Sequence, residues 1–353
     1  MDRSSKMILR KIIVDFVCLL IVGGAVLMFF LFGKPYKRGF FCNDESLYHP
    51  FHTSTVTSVM LYVIGLLLPI CTMIVGEYVY ARYCDADSTK ILFGYNIPPW
   101  LWGAYEKIGV FGFGAATTVL ITDIAKYTIG RLRPHFMTLC VPSINCSLPE
   151  NQHRYIENYV CTENISTRLL KEIRLSFPSG HSSFSAYTMI YLALYLQLRM
   201  TWKGSKLLKH FLQLLCILMA WFTALSRVSD YKHHWSDVLA GSTLGTIVAL
   251  VVANCVANLF KDRSRCLMEE KRRAADYETG GGTQGKFWLN EEEVRRSYVA
   301  WKRGRLVDAL EEESKVEEIL DEGGNMEALS CLRRIERKKQ ENRRNKRRGK
   351  RQG

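Results

Sequence analysis

The chain has 353 residues, 48% of them hydrophobic, and carries 48 Lys and Arg against 34 Asp and Glu for a formal charge of +14. Its mean hydropathy of −0.03 averages two unlike parts, because the 93 residues from 261 onward hold 25 of the basic and 19 of the acidic residues and few apolar ones. This excludes a uniformly soluble globule and describes a membrane domain, residues 1–265, followed by a charged tail, residues 266–353. Eleven cysteines without a CxxC pair argue against a zinc site. A basic excess concentrated at helix ends and in the tail is a sign of membrane topology, not of nucleic-acid binding.

Six apolar segments occur in chain order, at about 12–32, 56–79, 105–125, 182–198, 207–225 and 236–259. Each approaches the length at which a helix crosses a bilayer, and none shows strand alternation. A span inside lipid must satisfy its own backbone hydrogen bonds, so the expected fold is all-α, a polytopic bundle of six transmembrane helices. The first run, Ile12 to Phe32, is long enough to remain as a span, and no cleavable signal peptide is evident.

Arg3, Lys6, Arg10 and Lys11 precede the first segment, and Arg199, Lys203, Lys206 and Lys209 fill the connection between the fourth and fifth. The positive-inside rule makes both cytosolic. The loops at about 33–55, 126–181 and 226–235 then face the other side. Two N-glycosylation sequons, at Asn145 and Asn164, agree with that orientation. Cys42, Cys140, Cys146 and Cys161 fall in the same loops, where disulfides persist, with their pairing open. Asp15 and Glu106 stand near cytosolic helix ends, where they are expected to snorkel toward water.

The tail places Cys266 near the membrane and a helix at about 291–320, with Asn290 as cap and Glu291, Glu292 and Glu293 in its first turn. From Arg333 to Arg351 there are 12 basic residues and two acids. A solvated segment, attachment to anionic lipid or a protein, and nucleic-acid contact compete there; a polytopic chain disfavours the last. Homo-oligomer formation stays open.

Three segments stand at non-cytosolic helix ends: Lys126 to Pro134, Phe177 to His181, and Ser226 to Asp237. Lys126, Arg133 and Arg227 supply a point charge and two planar forks for phosphate oxygens. Ser179 and Gly180 begin a helix, whose free N–H groups favour an anion and would stabilise charge on a phosphoryl group in transit. No acidic cluster offers Mg²⁺ or Zn²⁺ ligation, so no metal or other cofactor is expected and a histidine becomes the candidate nucleophile. His233 is four residues before Asp237, whose carboxylate could hold one ring nitrogen protonated; His234, three before it, fits almost as well by spacing. His181 suits general acid–base work. Alone, each segment is an ordinary topology anchor or helix start; their coincidence on one side, in complementary chemical types, is what points to phosphoryl transfer. Asp123, three residues before Lys126, is read as that lysine's structural partner.

The spacings Lys126-x6-Arg133-Pro134, Pro178-Ser179-Gly180-His181 and Ser226-Arg227-x5-His233-x3-Asp237 resemble the signature of the type 2 phosphatidate phosphatase superfamily. That resemblance selects His233 over His234. Arg38 to Asp44 and Ser226 to Gly241 are similar to the animal lipid phosphate phosphatase branch, and the likeness covers about residues 8–260. It implies six spans, cytosolic termini, a lumenal or extracellular site, metal-independent hydrolysis, and substrates such as phosphatidate, lysophosphatidate, sphingosine 1-phosphate and ceramide 1-phosphate. A phosphotransferase or sugar-phosphate phosphatase on the same core, and a non-enzymatic lipid-binding scaffold, are the alternatives; the filled set of His181, His233 and Asp237 stands against the scaffold. Nothing carries over to the tail.

Overall fold

The computed structural model describes residues 3–83, 90–163, 166–200, 206–257 and 259. Asn164 and the whole tail beyond residue 259, including Cys266, the expected helix at 291–320 and the basic run from Arg333, lie outside the described residues. The chain forms α1 (Arg3–Phe32), α2 (Ser58–Tyr83), α3 (Pro99–Ile129), three short helices α4 (Phe136–Cys140), α5 (Pro149–Gln152) and α6 (Thr167–Glu172), and then α7 (Gly180–Arg199), α8 (Lys206–Ser229) and α9 (Trp235–Val251). Strands β1 (Phe40–Phe41) and β4 (Tyr155–Ile156) pair antiparallel, as do β2 (Lys90–Leu92) and β3 (Tyr95–Ile97). A π-helical turn, Val252–Val256, extends α9.

Among the described residues five helices, α1, α2, α3, α8 and α9, are long and apolar enough to cross a membrane. The chain is an integral membrane protein. The fourth apolar segment becomes α7, whose 20 residues match a bilayer core in length but include Ser182, Ser183, Ser185 and Thr188, all buried. It can be this polar because α2, α3, α8 and α9 wall it in.

Between helices in lipid there is no hydrophobic gain to collect, so close backbone approach and side-chain hydrogen bonds hold the centre. On α9, Gly241 and Gly245 lie one turn apart against α7; a Cβ at Gly241 would come within 2.5 Å of the Ser179 carbonyl oxygen, and one at Gly245 would collide with the Ser183 carbonyl. Thr122 and Ser183 share a hydrogen bond of 2.9 Å, and the Tyr187 hydroxyl donates to the Phe111 carbonyl at 2.8 Å. Lys11 pairs with Glu106 at 2.6 Å and the Tyr105 hydroxyl donates to Asp15 at 2.9 Å. These two acids bridge α1 and α3 through contacts that remain exposed.

At the opposite end, segments 33–55 and 131–176 build a cap. Its core packs Phe40, Leu47, Leu132, Phe136, Met137, Ile156, Tyr159 and Ile173. Disulfides Cys42–Cys146 and Cys140–Cys161 close it. Asn145 is exposed, in a turn where its side-chain oxygen accepts from the Ser147 N–H at 2.9 Å. The cap determines how two site segments run: the Arg133 N–H donates to the Ile173 carbonyl at 2.9 Å and the Ser176 N–H to the Arg131 carbonyl at 3.0 Å.

Candidate active site

Three chain reversals converge beneath the cap. α3 runs four residues beyond the expected end of its segment, so Lys126 sits in its last turn. The helix stops at Gly130, whose φ of +58° permits the left-handed cap and whose missing side chain admits the Tyr36 carbonyl. Ser179 caps α7, accepting from the Ser182 hydroxyl at 2.9 Å, while its own N–H donates to the Asp237 carbonyl at 3.0 Å. After α8 the chain folds back tightly: the N–H groups of Lys232 and His233 both donate to the Arg227 carbonyl, at 3.0 and 3.2 Å, and Tyr231 takes a φ of +52°.

These turns bring the three motif segments together. A Cβ at Gly180 would lie 2.8 Å from the Lys126 ammonium, so the glycine is what lets that cation reach the start of α7. Arg227 is 1% exposed, Arg133 8%, His233 4% and Asp237 0%. The charges of Arg133, Lys126 and His181 all act on the His233 ring. Nε of Arg133 and Nε2 of His181 are buried without a hydrogen-bond partner. Buried polar atoms without a partner are uncommon, and both of these belong to the motif segments.

The His233 ring is oriented differently from the sequence-based expectation. Its Nδ1 donates to the backbone carbonyl of Ser176 at 2.7 Å, and the nearest Asp237 oxygen is 3.9 Å away. Asp237 instead gathers the Arg131 guanidinium on Oδ1 and, on Oδ2, the Ser176 hydroxyl at 2.6 Å, the His234 N–H at 3.1 Å and the His234 Nδ1 at 3.2 Å. The reason lies in helix capping. Asp237 is the third residue of α9 and His234 its cap, so the carboxylate turns back onto the helix start as in a capping box. Asp237 therefore reaches His233 through Ser176. Burial first, then the Arg133, Lys126 and His181 charges, push the His233 ring well below the usual imidazole range, against the opposing carbonyl bond. It is neutral at pH 7, with Nδ1 protonated and the Nε2 lone pair free.

Arg227 is anchored by Asp230 at 2.7 Å, and Asp230 also accepts from the Thr55 N–H and hydroxyl at 2.8 and 2.7 Å. Arg133 faces the half-exposed Glu172 at 3.2 Å. Asp123 acts electrostatically on Lys126. Sequence reasoning missed Arg131, Ser176, Asp230 and Glu172; the i,i+3 spacing of Arg227 and Asp230 could have revealed one of them, whereas Ser176 acts through its backbone. Among the described residues no group of three or more His, Cys, Asp or Glu is arranged to hold a metal ion.

A membrane-embedded helical bundle that gathers buried cations around a neutral histidine is the architecture of a membrane phosphatase. The model of the PAP2 superfamily matches residues 107–261. The chain is 53% identical over 270 residues, 73% of its length and 71% of the relative's, to a protein named putative phosphatidate phosphatase from Drosophila melanogaster. It is 39% identical over 296 residues to phospholipid phosphatase 1 of Rattus norvegicus (82% of this chain, 96% of the relative). With phospholipid phosphatase 2 of Homo sapiens it shares 38% identity over 266 residues (74% and 88%). No solved structure matches. The chain belongs to the PAP2 superfamily and is a phosphatase.

Proposed function

We propose that this protein is a metal-independent lipid phosphate phosphohydrolase that works through a phosphohistidine on His233. The observation that carries the reading is the His233 ring itself: Nδ1–H bound to the Ser176 carbonyl, Nε2 bare, and the Arg133 and Lys126 cations acting on it. The Nε2 lone pair attacks phosphorus, the bond to the lipid oxygen breaks, and His181 protonates that oxygen as it leaves. His181 then takes a proton from water, which attacks the phosphorus–nitrogen bond and releases inorganic phosphate while His233 regains its lone pair. Lys126, Arg133 and Arg227, with the N–H groups at Ser179 and Gly180, hold the equatorial oxygens and stabilise the charge that develops on them. Asp237 fixes Ser176 and Arg131 and opposes the positive charge that builds on His233.

Phosphatidate, lysophosphatidate, sphingosine 1-phosphate and ceramide 1-phosphate are the proposed substrates. A site at the membrane boundary and the names of the relatives support a lipid leaving group. The basic residues in the first turns of α1 and around the α7–α8 connection, with the exposed sequon at Asn145, support cytosolic termini, six spans and an extracellular or lumenal site, in the plasma membrane or secretory pathway. The basic tail would meet anionic lipid or protein on the cytosolic side. Purified protein in detergent with EDTA, given phosphatidate, lysophosphatidate and glucose 6-phosphate, tests this: lipid-selective phosphate release is expected. No release would sink the enzymatic reading, and equal release from the sugar phosphate would sink the lipid assignment.

A further inference from the structure

One buried cation at the site belongs to none of the three motif spacings. Lys232 immediately precedes His233 and is 6% exposed. Its backbone is fixed by the N–H bond to Arg227, and the preceding carbonyl, that of Tyr231, accepts from Nδ1 of His135 at 2.8 Å. Its ammonium lies 3.6 Å from the centroid of the Phe51 ring, and that ring is held edge-on by His135 at 5.2 Å. The aromatic wall continues through Tyr231, stacked on His49 at 4.5 Å and met edge-on by His52 at 5.4 Å.

Among the described residues no oxygen accepts a hydrogen bond from this ammonium and no carboxylate pairs with it. Its neighbours deepen the anomaly, since Arg133 and Arg227 both repel it, and Glu172 and Asp230, which attract it, are bonded to those two arginines. A ring face is a weak partner for an ammonium compared with a charged oxygen. A buried lysine held against like charges beside His233 is arranged for an anion.

We propose that Lys232 is a fourth substrate-binding cation, which turns from the Phe51 face to an oxygen of the substrate's phosphate at the mouth of the site. The inference rests on the phosphatase reading above. Burial first, and then Arg133, push its pKa down to about 8, with Glu172 opposing, Arg227 adding to the fall and Asp230 opposing; His135, on the neighbouring segment, also faces it. A depressed lysine loses its charge as pH rises through that value, so kcat/KM should fall above about pH 8.

The test compares wild-type protein with Lys232→Met and Lys232→Arg for phosphate release from phosphatidate in mixed micelles, between pH 6 and 10. Loss of one charge-assisted bond is expected to lower kcat/KM of Lys232→Met by about 10- to 100-fold, largely through KM, with the alkaline limb near pH 8 gone. Lys232→Arg should keep most of the activity and move the limb upward. Activity of Lys232→Met within twofold of wild type, or an unmoved limb, would overturn the assignment. So would a loss of activity that follows a lowered melting temperature and that arginine does not rescue, because that marks a structural role. Wild-type protein that releases no phosphate would overturn the activity reading and this inference with it.

Discussion

Replacing Asp237 with Asn separates a carboxylate that bonds the nucleophile from one that acts across a gap. A phosphohistidine ring carries up to one positive charge, and the carboxylate oxygen is 3.9 Å from it. At an effective dielectric of about 20, Coulomb's law gives roughly 4 kcal/mol for the full charge. With about half that charge developed in the transition state, the loss is about 2 kcal/mol, or roughly 30-fold in kcat. A directly bonded His–Asp pair loses about 10⁴-fold on the same change in serine proteases. Asparagine also presents an amide to either the Arg131 side or the Ser176 and His234 side, where only acceptors fit, which costs about 1–3 kcal/mol of stability. Steady-state phosphate release from saturating phosphatidate and a melting curve in detergent measure both. A kcat within threefold of wild type would refute the electrostatic role. A fall near 10⁴-fold would show that the direct bond forms during turnover.

Two further outcomes follow from named contacts. Glu172 is half-exposed and holds Arg133 at 3.2 Å, a rim pair worth at most about 1 kcal/mol, so Glu172→Gln should free the guanidinium for substrate and lower KM by about two- to fivefold. An unchanged or raised KM would show that the carboxylate does not compete with phosphate. His135 is buried with its pKa pushed down to about 4, mainly by desolvation, and His233 is shifted the same way. The unfolded chain takes up those protons near pH 6.5 and the folded one does not, so stability present at pH 7 is lost as pH falls. His135 alone should account for about 2 kcal/mol by pH 5. A melting temperature that is flat from pH 7 to 5, or that rises, would contradict this.

The sequence announced the bundle through its apolar runs, because lipid allows little besides apolar helices. It was least clear at α7, where burial among other helices let serines and a threonine replace the aliphatic residues that lipid would demand. The motif residues were legible as phosphate chemistry, and the turns do assemble Lys126, Arg133, Ser179, Gly180, His181, Arg227 and His233 in one place. The wiring between them was not. Spacing barely preferred His233 over His234 as the partner of Asp237, and the carboxylate in fact touches His234 because helix capping takes precedence. Ser176 contributes a backbone carbonyl, which no side-chain pattern encodes. The cap and its disulfide pairs join residues up to 104 positions apart, beyond the reach of local periodicity.

The central claim is that phosphate passes through His233. Rapid acid-free quenching of the enzyme with ³²P-labelled phosphatidate, followed by peptide mapping, measures it directly. A base-stable, acid-labile label on the peptide containing His233, absent from His233→Ala, is the predicted result. Turnover by the wild-type enzyme with no labelled histidine under the same quench, or a label that persists in His233→Ala, would contradict it.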